Sequence, residues 1–311
     1  MKKETYVVTG GCGFIGSNLV ERLVKLNCNV IVIDNLTTGF VKNIDISSDL
    51  VTFINYSVEQ FDFNNLSKVD GVFHLAAQAS VPLSIENFYE SSKTNSLSCF
   101  KIISFCKEFK IPIVYASSSA VYGNLPVGSE NDSVDLLSPY AVDKFSMEKY
   151  FEAAYNYSEL PSFGLRFFNV YGPKQDPNSE YSGVISIFSD RLINNKEIFI
   201  NGGYQTRDFI YVGDVVDSLI RAYNYIKLNK GYYISNILTG KSISINDLVK
   251  SLAEILKIKP RCIYRELPIG DPERSSGNTL TMEKILNVNL NDLLKIEEGL
   301  IKTIEWEKKK K

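Results

Sequence analysis

"TYVVTGGCGFIGSNLVERLVKLNCNVIVID", Thr5 to Asp34, is the stretch on which the fold turns. "TYVVTG" (5–10) reads as a strand, "FIGSNLVERLVKLN" (14–27) as an amphipathic helix and "NVIVID" (29–34) as a buried strand. Gly10, Gly13 and Gly16 stand in the turn from the first strand to the helix. The same alternation runs on: strands at 51–55 and 71–77, a helix over 91–109, a strand at 112–118, a helix after Pro139 and a strand at 163–172. Apolar strands alternating with helices predict an α/β fold built on a doubly wound parallel sheet. Beyond Gly172 the pattern loosens. A loop at 173–183 rich in Pro, Asn, Ser and Gly leads to helical stretches at 245–256 and 281–288, which predicts a smaller α/β cap of helices and short strands. The boundaries read as 1–172, with a return segment at about 209–238, for the sheet domain, and 173–208 with 239–311 for the second. The tail "EWEKKKK" (305–311) reads as solvated.

Composition narrows the chemistry. The chain has 311 residues, 44% of them apolar, so a substantial core can form. A net charge of −2 with scattered Lys and Arg gives no electrostatic case for a nucleic acid or an anionic membrane as partner. No apolar run reaches the roughly 20 residues of a membrane span, and the first residues pass straight into a strand, so neither a span nor a signal peptide is expected. Five cysteines without a CxxC pair favour a reduced, cytoplasmic setting. His74 is the one histidine, which argues against a His-based metal site or a Ser-His-Asp triad; no metal is expected. Proton chemistry falls to Tyr, Lys, Asp, Glu, Ser or Cys.

The glycine turn between strand and helix lets backbone N–H groups and the helix N-terminus approach a pyrophosphate. Asp34, eighteen residues after Gly16, ends the next strand, where a carboxylate can accept hydrogen bonds from an adenosine ribose. Asn35 and Leu36 follow it rather than Arg or Lys, which favours NAD over NADP. The bland alternative is a glycine turn with no ligand.

"SPYAVDKFSMEKYF" (138–151) poses a second question. Ser138 is a good N-cap, Pro139 suits the first turn, and Tyr140, Lys144, Met147 and Phe151 recur on one helical face. A lysine on that apolar stripe is explained if the face lines a site. An ammonium about 4 Å from a phenol is worth about 4 kcal/mol at an effective dielectric of 20, enough to draw a tyrosine down from about 10 toward neutrality. The alternative is a lysine whose stem snorkels past an apolar edge. "YASSSAVYG" (115–123) adds a serine cluster at a strand end, where ligand sites open in such sheets and hydroxyls can hold a reacting oxygen; otherwise it is an ordinary serine-rich turn.

Taken together, "TGGCGFIGS", "DNLTTG", "FHLAAQASV", "SSSAVYG", "SPYAVDK", "RFFNVYGP" and "QTRDFIYVGDVV" resemble, over essentially the whole length, the extended short-chain dehydrogenase/reductases of the nucleotide-sugar epimerase/dehydratase kind. The resemblance implies a Rossmann domain holding NAD and a C-terminal domain holding a nucleotide sugar. It implies Tyr140 as acid/base, Lys144 as its support at the nicotinamide ribose, and Ser118, four before Tyr122, as the hydroxyl on the substrate, with Ser119 its neighbour. It places NAD against Gly10, Gly13, Phe14, Ile15, Gly16, Asp34, Asn35, Thr38, Gly39, Ser57, Leu75, Ala76, Ala77, Asn95, Ser117, Tyr140, Lys144 and Phe168. It places the substrate against Ser80, Val81, Ser118, Ser119, Tyr140, Asn169, Val184, Asn201, Arg207, Arg274 and Ser275. Arg207 would grip the diphosphate, where bidentate geometry favours Arg; beside Asp208 it could equally be a structural ion pair. Two departures stand out. Tyr56 occupies the place of the usual adenine-contacting Asp, with Ser57 as a substitute, and Pro268 stands where many relatives have a second diphosphate Arg, with Arg274 as its replacement.

Within this family, 4,6-dehydratases carry Thr-Asp-Glu where this chain has Ser118, Ser119 and Ala120, and decarboxylases usually keep a Glu at the third of these positions. What is left is one base, one hydroxyl donor and one hydride acceptor, the set that 4-epimerases use for reversible oxidation at C4. A bulky residue five after the Gly of the C-terminal Gly-Asp restricts the sugar pocket in relatives; here Gly270 plus five is Ser275, which leaves room for a 2-N-acetyl group, unless Ser275 is simply a surface serine. The resemblance thus favours UDP-GlcNAc/UDP-GalNAc interconversion, with UDP-Glc/UDP-Gal beside it, by a homodimer paired through the helices at 91–109 and 139–157. Alternatives are a UDP-uronic acid 4-epimerase, a CDP-sugar 2-epimerase and a non-catalytic NAD-binding regulator.

Overall fold

The computed structural model describes residues 3–66, 68–179, 182–267 and 272–309. Seven strands make one all-parallel sheet: β1 (Thr5–Thr9), β2 (Asn29–Asp34), β3 (Val51–Asn55), β4 (Gly71–His74), β5 (Ile113–Ser118), β6 (Ser162–Phe167) and β10 (Tyr232–Ile237). Their spatial order is β10-β6-β5-β4-β1-β2-β3, so the direction of winding reverses between β1 and β4. That switch point is where open α/β sheets bind ligands, beyond the carboxyl ends of the strands.

Strand alternation sends residues to two faces. Tyr6, Val8, Val32, Phe73 and Val114 pack with α1 (Phe14–Lys25) and α6 (Val212–Leu228). Val7, Ile33, Val72, Ile113 and Tyr115 pack with α3 (Phe88–Phe109) and α4 (Pro139–Ser158), which α2 (Val81–Glu86) precedes and braces. The expected stripe on α4 is buried: Phe151 stacks on Tyr115 with ring centroids 4.1 Å apart, and Met147 is covered beside it.

The second layer of strands is smaller. β7 (Asn169–Tyr171), β9 (Thr206–Tyr211), β11 (Ser242–Ser244) and β13 (Arg274–Ser275) form a four-stranded sheet, and β8 (Ile198–Asn201) pairs with β12 (Cys262–Arg265). Around them lie α5 (Val184–Ile193), α7 (Ile245–Leu256) and α9 (Ile296–Lys309), while α8 (Leu280–Ile285) returns to the main sheet.

Two expectations change. The single strand read at 163–172 is two: Phe168 breaks it by donating its N–H to Ile237 O, so β6 stays in the main sheet and β7 crosses to pair with β9. The tail is not merely solvated. α9 runs to Lys309 and buries Leu300, Thr303, Ile304 and Glu307, a helical spacing whose apolar members pack with Phe188 and Leu192 of α5.

Candidate functional site

The first β–α turn closes through backbone contact. Gly10 is left-handed (φ +70°), and a Cβ there would lie 2.7 Å from Ala76 N, so only glycine lets this turn meet the loop after β4. A Cβ on Gly16 would lie 2.1 Å from Gly10 O, so glycine is needed here as well: helix and turn touch backbone to backbone. α1 starts after Gly13 with no side-chain cap and no acidic residue in its first turn. Its first N–H groups, at Phe14 and Ile15 among others, are thus left for an anion, as a pyrophosphate requires.

Asp34 is buried at the end of β2. Its carboxylate accepts from Cys12 N (2.9 Å) and Leu36 N (2.8 Å), which pins the glycine turn to the second strand and leaves lone pairs for ribose hydroxyls. Gly39 packs on the Cys12 backbone, folding the 35–39 loop across the turn, with Thr38 at its exposed rim. Asn35 Nδ2 donates to Ser57 Oγ at 3.2 Å, joining the ends of β2 and β3 without a cation, whereas Tyr56 is 47% exposed and leans edge-on against Phe61. This end of the cleft suits an adenosine with a free 2′-hydroxyl, and the residues fit NAD.

His74 has a structural task. Thr9 Oγ1 accepts from Leu75 N (3.2 Å) and Ala76 N (3.3 Å), so its hydrogen points to His74 Nδ1 at 2.8 Å. Burial pushes the imidazole down to about 3, so it stays neutral and holds the Leu75–Ala77 loop against the glycine turn.

At the other end, Tyr140 is buried on the first turn of α4, with its backbone N–H on Ser84 Oγ and a side-chain hydrogen bond to Ser118. Ser118 caps the turn that follows β5, accepting from Ala120 N at 3.1 Å, with Ser119 half-buried beside it. Lys144 is buried too. Its Nζ donates to Ala116 O at 2.8 Å and lies 5.7 Å from the Tyr140 ring centroid. Here the electrostatic expectation needs correction. Burial pushes Tyr140 up to about 12, the Ser118 hydrogen bond opposes that rise, and Asp143 adds to it. The ammonium sits over the ring face and donates to a strand carbonyl. Burial also draws Lys144 down to about 8, against the pull of Cys99, Asp143 and Glu148. Protein charges alone therefore leave the phenol protonated near neutral pH, and a cation beside it is needed to draw it down.

Asn95 is locked by both of its amide ends, accepting from Gln78 N (2.9 Å) and donating to Asp143 Oδ2 (3.0 Å). Ser80 caps α2 through Leu83 N, and Val81 follows at the surface. Ser117 behaves differently from its neighbour: its hydroxyl donates to the buried Glu148, so this side chain faces away from Ser118's partners. Adjacent strand residues point to opposite faces, which is why only one of the two serines reaches Tyr140.

The second layer brings Asn169, Arg207 and Ser275 together. Asn169 Nδ2 donates to Asp208 O (3.0 Å) and reaches Ser275 Oγ at 3.5 Å, and Ser275 is in register with Arg207 across β13 and β9. Arg207 is buried, with Nη1 on Thr206 O. The alternative of an ion pair with Asp208 is not the arrangement described: the Asp208 carboxylate takes Thr239 N and Oγ1, and burial pushes it up to about 6. Phe168 is buried beside Gly277. Val184 opens α5, whose N-terminus has no side-chain cap. Asn201, exposed at the end of β8, and Arg274, exposed on β13, lie on elements apart from α4. Pro268 and Gly270 lie outside the described residues.

One constellation escapes sequence reading. Arg166 of β6 makes a two-pronged ion pair with Glu148 (2.9 and 2.7 Å) and donates to Tyr122 Oη (2.8 Å), all of it buried. The signals were present, an acid on the apolar face of α4 and an arginine inside a buried strand, but only the folded chain pairs them.

Among the described residues no group of three His, Cys, Asp or Glu side chains could hold a metal, and no helix is long and apolar enough to cross a membrane.

Comparison with known proteins agrees with this geometry. The profile of the NAD dependent epimerase/dehydratase family matches residues 6–237. A putative UDP-glucose 4-epimerase of Methanocaldococcus jannaschii is 37% identical, covering 97% of this chain and 98% of its own. A UDP-N-acetylglucosamine 4-epimerase from Methanobrevibacter ruminantium, solved in complex with UDP-N-acetylmuramic acid, superposes with a TM-score of 0.94 at 34% identity over 100% of both chains. A UDP-glucose 4-epimerase of Thermotoga maritima, solved with UDP-glucose, gives a TM-score of 0.91 at 32% identity over 98% and 99%. With a glycine turn shaped for a dinucleotide, a Ser–Tyr–Lys cluster at the strand ends and kinship over its full length, the chain belongs to the NAD-dependent epimerase/dehydratase family, as an isomerase that uses NAD.

Proposed function

We propose that the chain is a 4-epimerase of UDP-hexoses, interconverting UDP-GlcNAc and UDP-GalNAc and also UDP-Glc and UDP-Gal, through transient oxidation at C4. The observation that carries this reading is the Ser118–Tyr140 hydrogen bond beside Lys144, followed by Ala120, which offers no further acid or base. One hydroxyl donor and one phenol suffice for proton transfer at a single carbinol.

When bound, NAD supplies the hydride acceptor and donor. Gly10, Gly13, Phe14, Ile15 and Gly16 would hold its pyrophosphate, Asp34 and Asn35 its adenosine ribose, and Lys144 its second ribose. Tyr140, which burial alone raises, would be lowered by the positive charge of an oxidised coenzyme beside it. Tyr140 accepts the C4 hydroxyl proton while Ser118 holds the oxygen. The resulting 4-keto sugar stays tethered by its nucleotide, with Arg207 on the diphosphate and Asn169 and Ser275 beside the sugar. Turned over within the site, it presents its other face, and Tyr140 returns the proton.

The N-acetylated substrates are favoured because Ser275 is small and partly exposed next to Asn169. Five free cysteines support a reduced, cytoplasmic setting. An apolar strip on α3 and α4, with Leu97, Phe100 and Tyr150 exposed and the last two rings 4.8 Å apart, supports pairing with a second copy.

The test is turnover of UDP-GlcNAc and UDP-Glc by the purified protein in deuterated water without added NAD. The expected result is the C4 epimer with no deuterium at C4. Deuterium at C4, or absence of any 4-epimer from either sugar, overturns the proposal.

A further inference from the structure

The buried Glu148–Arg166 pair is the start of a longer chain of hydrogen bonds. Ser117 Oγ and both prongs of Arg166 meet Glu148, and the guanidinium also covers the Tyr122 ring, 5.0 Å from its centroid. Tyr122 accepts from Arg166 and donates to Asn236 Oδ1 at 2.6 Å. Asn236, fully buried on β10, donates from Nδ2 to two carbonyls, Gly128 O and Asn278 O, each at 3.1 Å. Its backbone N–H goes to Glu130.

The two carbonyls belong to segments far apart in sequence that lie side by side. Gly128 N donates to Ser276 O (2.9 Å), Asn278 N to Gly128 O (2.8 Å), and Ser276 Oγ to Pro126 O (2.8 Å). Gly128 itself packs on the Tyr122 ring: a Cβ there would lie 2.3 Å from it. One segment continues from the Ser118–Tyr122 turn and the other begins at Ser275. Burying an ion pair is poor evidence of stabilisation in itself, since desolvation offsets the attraction. This one, however, ends in a clamp that joins the two walls of the proposed sugar pocket.

We infer that Tyr122 and Asn236 are positioning residues which, through the Gly128–Asn278 clamp, set the spacing between the Ser118–Ser119 turn and Ser275, and thereby the preference among sugars. Neither side chain needs to touch substrate. The inference rests on the proposed UDP-hexose function and deepens it. Its physical basis is that a buried polar network with every partner present has one low-energy geometry, and removing a member lets the segments it joins relax.

The experiment compares the wild-type chain with Tyr122→Phe and Asn236→Ala. For each, kcat/KM is measured for UDP-GlcNAc and UDP-Glc, and the affinity for both nucleotide sugars by calorimetry, alongside bound NAD. Tyr122→Phe keeps the ring and deletes only the hydroxyl, so it guards against misfolding of the second variant. The expected result is a change of about tenfold in the ratio of the two sugars, in the range that pocket shape can contribute, with bound NAD retained. Equal losses for both sugars, or an unchanged ratio in turnover and in binding, overturn the inference. Failure of the function reads differently: the wild-type chain would then epimerise neither sugar, while the calorimetric ratio still decides whether Tyr122 and Asn236 shape the pocket.

Discussion

The coenzyme side of the cleft stands on seven parallel strands in one sheet, with helices on both faces and glycines in backbone contact. The sugar side stands on a four-stranded sheet whose members run from two residues (β13) to six (β9) and come from 169–171, 206–211, 242–244 and 274–275. On the first side, Asp34 and Lys144 are buried and held by backbone groups, with Tyr140 buried beside Lys144; on the second, Ser275 is half-buried and Arg274 exposed. A rigid sheet suits groups that must meet a coenzyme in one geometry, since small misplacements of reacting groups are costly. Short strands gathered from distant segments suit a surface that distinguishes one sugar from another. Under the proposed function, the difference assigns reaction and preference to separable parts of this molecule.

Three substitutions press on that separation. Tyr140→Phe strikes the coenzyme side and is expected to reduce kcat by about 10³-fold for every UDP-sugar alike while bound NAD is retained, which absorbance and steady-state kinetics measure. A loss that fell on one sugar only would erase the distinction. Lys144→Met, on the same side, is expected to lower kcat by about 10–100-fold at neutral pH. The sign of its pH effect follows from the charges. With the ammonium over the Tyr140 ring gone, the phenol loses a nearby positive charge, so the acid limb of the kcat profile moves to higher pH. In the wild-type chain Lys144 itself, drawn down to about 8, loses its charge above that value, so the support it gives the phenolate declines on the alkaline side. An acid limb that moved to lower pH in the variant would contradict this. The smallest effect is expected from Ser275→Tyr on the sugar side: about a tenfold loss for UDP-GlcNAc relative to UDP-Glc, with the pH profile unchanged. Equal loss on both sugars would mean that Ser275 does not gate the pocket.

Much of the coenzyme side was legible because its signals are local. Gly10, Gly13 and Gly16 lie within seven residues; the left-handed Gly10 and the backbone contacts of Gly13 and Gly16 with Gly10 are properties of the turn itself, although the Ala76 backbone that Gly10 meets is not. Ser138, Pro139 and the Tyr140–Phe151 stripe announce a helix and its buried face for the same reason. Where the local reading erred, a tertiary contact had intervened. Four residues separate Tyr140 and Lys144 along the helix, but the ammonium turns to Ala116 O on a neighbouring strand, which no spacing rule reveals. Ser117 and Ser118 are chemically alike and adjacent, yet strand alternation gives one to Glu148 and the other to Tyr140. The crossing at Phe168 depends on Ile237, 69 residues further on.

By itself, the sequence determined the alternation of strand and helix, the glycine turn, the buried face of α4 and the family, because each is written in residue types at short spacing. The tertiary structure alone decided how Asn169, Arg207 and Ser275 meet, how Glu148, Arg166, Tyr122 and Asn236 link into one chain, and how strongly burial opposes ionisation of Tyr140. These depend on which distant segments exclude water from one another, and burial, unlike helical spacing, is a property of the whole fold.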